Sequence, residues 1–139
     1  MSNLSNMKSM AQARAKFAWD CANKADDGHK KGNKGNQEYA SIVRKIPAYI
    51  KTNGLLNTLA FLYSKKNSAK NGEALQNIRV WLVDSSKNPF CLISEPLDNE
   101  EQLLDYLLDK QKSDTRFLMQ CTLEVLALFN WLRRFVESK

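Results

Sequence analysis

The segment 39–61 constrains the fold of this chain more than any other. It carries apolar residues at helical spacing, a proline at position 47, a glycine at position 54 and an apolar restart at Leu55. Because glycine adopts left-handed backbone angles without steric cost, we expect Gly54 to end one helix in the left-handed cap conformation. Pro47 lacks an amide hydrogen and disfavours helical angles at the residue before it, so we expect a kink, or a break with Pro47 opening a new short helix. The segment predicts a rigid helical corner whose residue types favour binding or scaffolding.

Helical periodicity continues through most of the chain. Apolar residues recur at three- and four-residue spacing, and no stretch alternates convincingly with period two. A length of 139 residues suits one domain. We therefore predict an all-α, compact single-domain bundle of five to seven helices over residues 1–139. The predicted helices start at residue 4 or 9 and run to 25, then cover about 37–51, 55–65, 75–84, 98–108 and 113–136.

Three regions between and within these helices carry more specific expectations. The segment 85–96 is predicted to be irregular and to cover the core with Phe90, Leu92 and Ile93. Asp98, with Glu101 three residues later, predicts the N-cap of the fifth helix. Leu103, Leu104, Leu107 and Leu108 should form the buried face of that helix. In the last helix, Met119, Leu123, Leu126 and Trp131 widen the apolar stripe, which predicts a central helix or one buried on one side against a partner.

The net charge of +6 is unevenly distributed. Residues 1–72 hold 13 Lys/Arg and 4 Asp/Glu, a net charge of +9, whereas residues 73–139 hold 8 and 11, a net charge of −3. Segment 26–36 has several glycines and lysines and no apolar residue, which predicts a flexible basic loop. A basic surface attracts polyanions at moderate salt, although a basic protein that is simply soluble has the same composition.

Cations beside the apolar stripes are the candidate phosphate contacts. Contacts of this kind would bind a nucleic-acid backbone without reading its sequence. A solvated face is the alternative interpretation of the same residues. The candidates are Arg44, Lys45, Lys51, Arg133 and Arg134, with Lys16, Lys65 and Lys66 as further possibilities.

The residues that could carry chemistry do not form a recognisable set. His29 is the only histidine and lies in the basic loop, where nothing would orient it toward a nucleophile. The glycines of residues 28–35 lack the Gly-Lys-Ser/Thr ending of a phosphate-binding loop. The three cysteines are far apart in sequence, and the acidic group 98–101 is explained by helix capping. We expect no catalytic residue, no metal site and no cofactor, and so not an enzyme.

The aromatic residues and one ion pair are assigned to the structure of the bundle. Trp19, Trp81, Trp131, Tyr39, Tyr49 and Phe61 all lie in or beside apolar stripes and are expected in the core, although exposed aromatic rings could stack on bases. Arg14 lies near the alanine face of the first helix and Glu124 lies inside the last apolar stripe. Because a buried charge needs a partner, we predict an Arg14–Glu124 contact. The structural residues are thus Arg14, Glu124, Pro47 and Gly54.

The hydropathy of the chain indicates its compartment. No apolar run approaches the roughly 20 residues that span a bilayer. The N-terminal residues lack the apolar region of a secretory signal. A cytoplasmic location and no membrane partner are therefore expected.

Several motifs together resemble those of a known family. Their combination is more specific than any one of them and covers nearly the whole chain outside 26–36, 64–72 and 85–97. The motifs are Arg14 with Ala18, Tyr39-Ala-x-x-Val-Arg-Lys-Ile-Pro47-Ala-x-Ile-x-x-Asn-Gly54-Leu55, Leu59-Ala-Phe-Leu62, and Thr122-Leu-Glu124-Val-Leu-x-x-x-x-Trp131-Leu-Arg-Arg-Phe135. In these residues the chain resembles the small helical subunit of the type III-B (Cmr) CRISPR effector complex.

The resemblance implies a non-catalytic subunit of an RNA-guided, RNA-targeting ribonucleoprotein. It implies stacking of a few copies as a short filament beside the backbone subunit and against the large polymerase-like subunit, with guide and target RNA between the filaments. Target cleavage would belong to the backbone subunit. The alternative from the residues alone is a helical protein–protein adaptor whose basic surface binds an acidic protein partner and no nucleic acid.

Overall fold

The computed structural model describes the backbone of residues 2–26 and 34–138, with the side chains of residues 9–25 and 37–138. This part of the chain is helical, without a strand, which confirms the predicted all-α fold class. The helices are α1 (Ser2–Asp26), α2 (Lys34–Asn53), α3 (Leu55–Ser64), α4 (Asn71–Val83), α5 (Glu100–Leu108) and α6 (Thr115–Glu137).

The boundaries of the predicted basic loop over 26–36 are wrong. Helix α1 continues to Asp26, and α2 already begins at Lys34. Gly35 and Asn36 have low helix propensity, so the local sequence alone did not reveal the extra turn. The centre of the loop, with His29, lies outside the described residues.

Helix α2 runs through Pro47 without interruption, so the predicted break at this proline is wrong. Proline removes one hydrogen bond of the helical ladder. Burial of the neighbouring side chains opposes this loss, because Ile46 and Ile50 lie in the core on the inner face of the same helix. Tertiary packing therefore keeps the helix continuous where the local sequence favours a break.

The α2–α3 corner turns on Gly54, as predicted, but with different backbone angles. Gly54 has φ 86° and ψ 162°, a region that is essentially restricted to glycine and differs from the left-handed helical cap in ψ. Its N–H donates to the Ile50 carbonyl oxygen at 2.7 Å, which closes α2. Its own carbonyl oxygen accepts from the Thr58 hydroxyl at 2.8 Å, which starts α3.

Helix α6 packs against both α1 and α2. Ala18 and Ala22 of α1 are fully buried, and their small side chains allow another helix to approach closely. The inner face of α6 is also fully buried, including Val125 and Phe129. On its outer side Met119 and Leu123 are 61% and 62% exposed, so the helix is buried on one side only.

The remaining elements close the other end of the core. Helix α3 packs against α2, α4 and α5. The irregular segment after α4 folds back, because Asn88 donates through Nδ2 to the Trp81 carbonyl oxygen at 2.7 Å. Ile93 of this segment is fully buried as predicted, whereas Phe90 and Leu92 are only partly buried.

Helix α5 differs from its prediction in its N-cap and in the exposure of Leu108. Asn99, and not Asp98, is the N-cap: its Oδ1 accepts from the Gln102 N–H at 2.8 Å. Gln102 in turn accepts the Asp98 N–H at 2.7 Å, so the side chain three residues after the cap is a glutamine and not Glu101. Leu108 is 62% exposed, so the predicted buried face of the helix is wrong at this residue.

Candidate nucleic-acid interface

Two of the candidate cations, from helices distant in sequence, line one groove. Lys51 of α2 and Arg133 of α6 border a cavity of about 360 Å³ together with Pro47 and Asn130. Pro47 and Lys51 are four residues apart and therefore lie on one face of α2. Because α2 packs along α6, this face meets the exposed side of α6. We call this cavity, with its apolar residues Leu126 and Ala127, the α2–α6 groove.

Two further candidates lie on the same two helices as Lys51 and Arg133. Arg44 precedes Lys51 by seven residues, two helical turns, and so shares its face of α2. Arg134 lies next to Arg133 in the last turn of α6. Both side chains are exposed. Of these four cations, Lys51 and Arg133 line the groove, and no carboxylate is among its lining residues.

Lys45 points to the other side of α2. It borders a second, more apolar cavity of about 200 Å³ with Tyr49 of the same helix and Phe61 of α3. We call this cavity the α2–α3 groove. Arg44 and Lys45, adjacent in sequence, therefore lie on different faces of α2, because successive residues of a helix point about 100° apart.

The three remaining candidate cations lie outside the α2–α6 groove. The Lys16 ammonium lies 3.0 Å from the Asp20 carboxylate, one turn along α1. The Lys66 ammonium lies 3.8 Å from the centre of the Tyr63 ring. Lys65 forms the C-cap of α3 through its backbone N–H, with its side chain exposed. The structure does not bring these three lysines to the α2–α6 groove.

Arg14 and Glu124 form the predicted ion pair. Arg14 Nε donates to Glu124 Oε1 at 2.7 Å and Arg14 Nη2 to Oε2 at 3.0 Å. Trp81 adds a third donor, with its Nε1 at 2.9 Å from Oε1. The sequence did not reveal this contribution of Trp81, because its position in an apolar stripe signals burial and not the direction of the indole N–H. The cluster ties α1, α4 and α6 together.

The ionisation of this pair is fixed by these contacts. The hydrogen bond to Glu124 raises the pKa of Arg14 above its usual value, against the opposing effect of burial. Burial alone would raise the pKa of Glu124, but hydrogen bonds from Arg14 and Trp81, with the charge of Arg14, outweigh it and lower that pKa. Both groups are therefore charged at neutral pH, so the pair contributes structure and no proton transfer.

The aromatic residues separate into two groups. Trp81 and Tyr39 are buried, as predicted, and Trp131 and Tyr49 are partly buried. The prediction is wrong for Trp19 and Phe61, which are exposed. Apolar periodicity cannot distinguish the edge of a buried stripe from its centre, so it did not identify Phe61 as a surface ring.

The remaining candidates for chemistry are held in structural contacts. Burial raises the pKa of the Cys21 and Cys121 thiols to about 12, which keeps them protonated and poorly nucleophilic. Glu100 pairs with Arg79 at 3.0 Å. Among the described side chains, those of residues 9–25 and 37–138, no cluster of three or more His, Cys, Asp or Glu could hold a metal ion. Over residues 2–26 and 34–138, none of the helices has the length and apolarity to cross a membrane.

A comparison with protein-family models gives one match over almost the whole chain. Residues 10–139 match the family model described as CRISPR-associated protein (Cas_Cmr5). The matched range includes Arg14, both grooves and the C-terminal Arg133-Arg134 pair.

Proposed function

We propose that this chain lines guide and target RNA through the α2–α6 groove. The chain belongs to the Cas_Cmr5 family of CRISPR-associated proteins. This family is the small subunit of the type III-B complex. In this proposal the complex is an RNA-guided, RNA-targeting ribonucleoprotein in the cytoplasm. The subunit is non-catalytic and contacts the phosphate backbone through Arg44, Lys51, Arg133 and Arg134.

The observation that carries this proposal is the position of Lys51 and Arg133 on opposite walls of one groove. Lysine presents a point charge and arginine a planar set of donors, and both bind phosphate oxygens. Contacts to phosphates position a nucleic acid without selecting its sequence. A subunit that must accept any guide and target needs this kind of binding, since base pairing reads the sequence in RNA-guided complexes.

Within the same proposal, a few copies of the subunit stack as a short filament. That filament contacts the backbone subunit and the large polymerase-like subunit, and it repeats the cationic groove along the RNA. The exposed side of α6 supports contacts with protein partners, because Met119 and Leu123 are large apolar side chains one turn apart on it. Lys16, Lys65 and Lys66 have a secondary part in RNA binding, because none of them lines the α2–α6 groove.

The test uses the purified chain and single-stranded RNAs of unrelated sequence, with affinity measured by fluorescence anisotropy over a range of salt concentrations. We expect weak binding. The logarithm of the binding constant should fall linearly with the logarithm of the salt concentration, with a slope of about −0.7 per neutralised phosphate. Co-purification of the tagged chain with other Cmr subunits and short guide RNAs from native cells tests the assembly. Binding that survives high salt with strong selectivity for one sequence would contradict the proposal.

A second candidate function is a helical protein–protein adaptor whose basic surface binds an acidic partner and no nucleic acid. The exposed Met119 and Leu123 favour it, since they offer a protein partner apolar surface. Competition with RNA distinguishes the two functions. If the chain binds RNA, an added polyanion displaces the RNA, and the affinity for RNA falls with salt as described above. If the chain is an adaptor, it co-purifies with an acidic protein and without RNA.

A further inference from the structure

The α2–α3 groove has the size and lining of a site for one aromatic ring system. Its walls include Ile42 and Ile46 of α2 and Leu62 of α3, and its volume is about 200 Å³. An apolar protein cavity of about 150 Å³ takes up a benzene ring. The α2–α3 groove therefore has room for a flat heterocycle and is smaller than the usual site for a large cofactor.

An aromatic platform lies in this groove. The rings of Tyr49 and Phe61 stack with their centres 5.1 Å apart and their planes at 26°. Phe61 is 37% exposed, so part of its ring remains accessible to a further flat group. Stacking of a nucleobase on an aromatic side chain is a common element of single-strand binding and tolerates every base.

One residue that lines the groove carries a buried hydrogen-bond acceptor without a partner. Asn71, which contributes to its wall, is only 4% exposed. Its Nδ2 donates to the Ser68 carbonyl oxygen at 2.8 Å, which fixes the orientation of the amide. Its Oδ1 is buried and has no hydrogen-bond partner among the described residues. Because buried acceptors are nearly always satisfied, this oxygen favours a ligand that offers an N–H or O–H donor.

This apolar site and the proposed RNA track lie on two different faces of the same helix, α2. Lys45 borders the α2–α3 groove, while Lys51, on another face of the same helix, borders the α2–α6 groove. A helix is about 10 Å across. An RNA strand whose phosphates lie in the α2–α6 groove is thus separated from the apolar site by the width of α2.

We propose that the α2–α3 groove receives one unpaired nucleobase of the RNA. The base stacks on Phe61, donates from its amino group to Asn71 Oδ1, and places a neighbouring phosphate near Lys45. This oxygen has no surface open to solvent, so the base reaches it only when the wall of the groove opens at Asn71. The inference rests on the proposed function and goes beyond it, because it adds a base contact to a surface that otherwise binds only the backbone.

The experiment compares three probes on the full chain at low salt, with affinity measured by fluorescence anisotropy. The probes are a short oligoadenylate, the same strand with purine in place of adenine, and the same strand without bases. Purine lacks the amino donor, so its strand should bind about two- to tenfold more weakly than oligoadenylate. The abasic strand should bind more weakly again, by about five- to a hundredfold relative to oligoadenylate.

Phe61→Leu tests the platform while keeping an apolar side chain there. This variant should bind oligoadenylate as weakly as the abasic strand, with its melting temperature close to that of the unaltered chain. Trp19→Leu is the matched control, because Trp19 is also an exposed aromatic residue and lies on α1 against Phe135. It should leave the difference between oligoadenylate and the abasic strand unchanged.

The outcomes separate this site from the proposed function. Equal affinities for all three probes, with the expected salt slope, would overturn the base site and leave the phosphate track intact. Failure of every probe to bind at low salt would overturn both. If Phe61→Leu released a protein subunit from the assembled complex without changing the oligoadenylate affinity, the groove would hold a protein side chain and the base site would be wrong.

Discussion

Arg14 in the first helix donates two hydrogen bonds to the carboxylate of Glu124 in the last helix, at 2.7 and 3.0 Å. The two residues are 110 positions apart in the chain. Their side chains are 21% and 13% exposed. The pair therefore lies at the edge of the core, where two charges are partly removed from water and depend on each other.

Glu124→Ala should lower the free energy of unfolding by about 2–3 kcal/mol, since it leaves Arg14 partly buried without its carboxylate and removes the acceptor of the Trp81 indole. Chemical denaturation followed by circular dichroism measures the change. Glu137→Ala, on an exposed position of the same helix, is the control and should have little effect. An unchanged stability of the Glu124 variant would show that the ion pair contributes nothing to folding.

The same pair predicts an acid-sensitive component of stability. The folded-state pKa of Glu124 is lower than the unfolded value near 4.5. Its contribution is therefore fully present above about pH 4.5 and is lost as the pH falls through the lower, folded-state pKa. Unfolding free energies of the unaltered chain and Glu124→Gln, measured from pH 7 downward, should converge in this acidic range. A constant difference between them down to pH 2 would contradict the prediction.

Gly54→Ala should destabilise the chain by about 1–3 kcal/mol, because an alanine at φ 86° and ψ 162° is strained. No atom outside its chain neighbours lies within 4 Å of a Cβ built at this position, so the cost is one of backbone conformation and not of collision. Denaturation midpoints measure the change, with Asn53→Ala, an exposed neighbour, as control. Equal midpoints for the two variants would show that the corner relaxes without cost.

Pro47→Ala should raise the stability of α2, by at most about 3 kcal/mol, because it restores the missing helical hydrogen bond. Thermal melting and the amide exchange of α2 measure this gain. The proline ring also lines the α2–α6 groove, so part of the gain is offset by lost packing. A fall in melting temperature would mean that this packing outweighs the hydrogen bond.

Lys51→Ala and Arg133→Ala should each reduce the magnitude of the salt slope of RNA binding by about 0.7, the loss of one phosphate contact to a single strand. The reduction should not depend on the RNA sequence. Lys110→Ala changes the net charge equally and alters an exposed lysine in the acidic half of the chain, so it is the matched control. A similar loss in the Lys110 variant would point to net charge, and not to the α2–α6 groove, as the source of binding.

The sequence by itself determined the elements of this protein and much of its core. Helix periodicity identifies which residues of one helix share a face, because the backbone geometry of a helix is local and regular. It also predicted the corner at Gly54 and, from two charges placed in apolar stripes, the contact between Arg14 and Glu124. Where local rules were insufficient, packing decided: α2 continues through Pro47 because its neighbours Ile46 and Ile50 are buried.

The tertiary structure alone decided which surfaces exist. Lys51 and Arg133 look like unrelated surface cations in the sequence, and only the packing of α2 along α6 brings them to one groove. Phe61 and Trp81 occupy similar apolar patterns, yet one ring is exposed and the other buried. Asn71 carries no signal in its local sequence. Grooves arise from the distances between helices, and these distances depend on side chains far apart in the chain. The periodicity of a single helix therefore does not predict them.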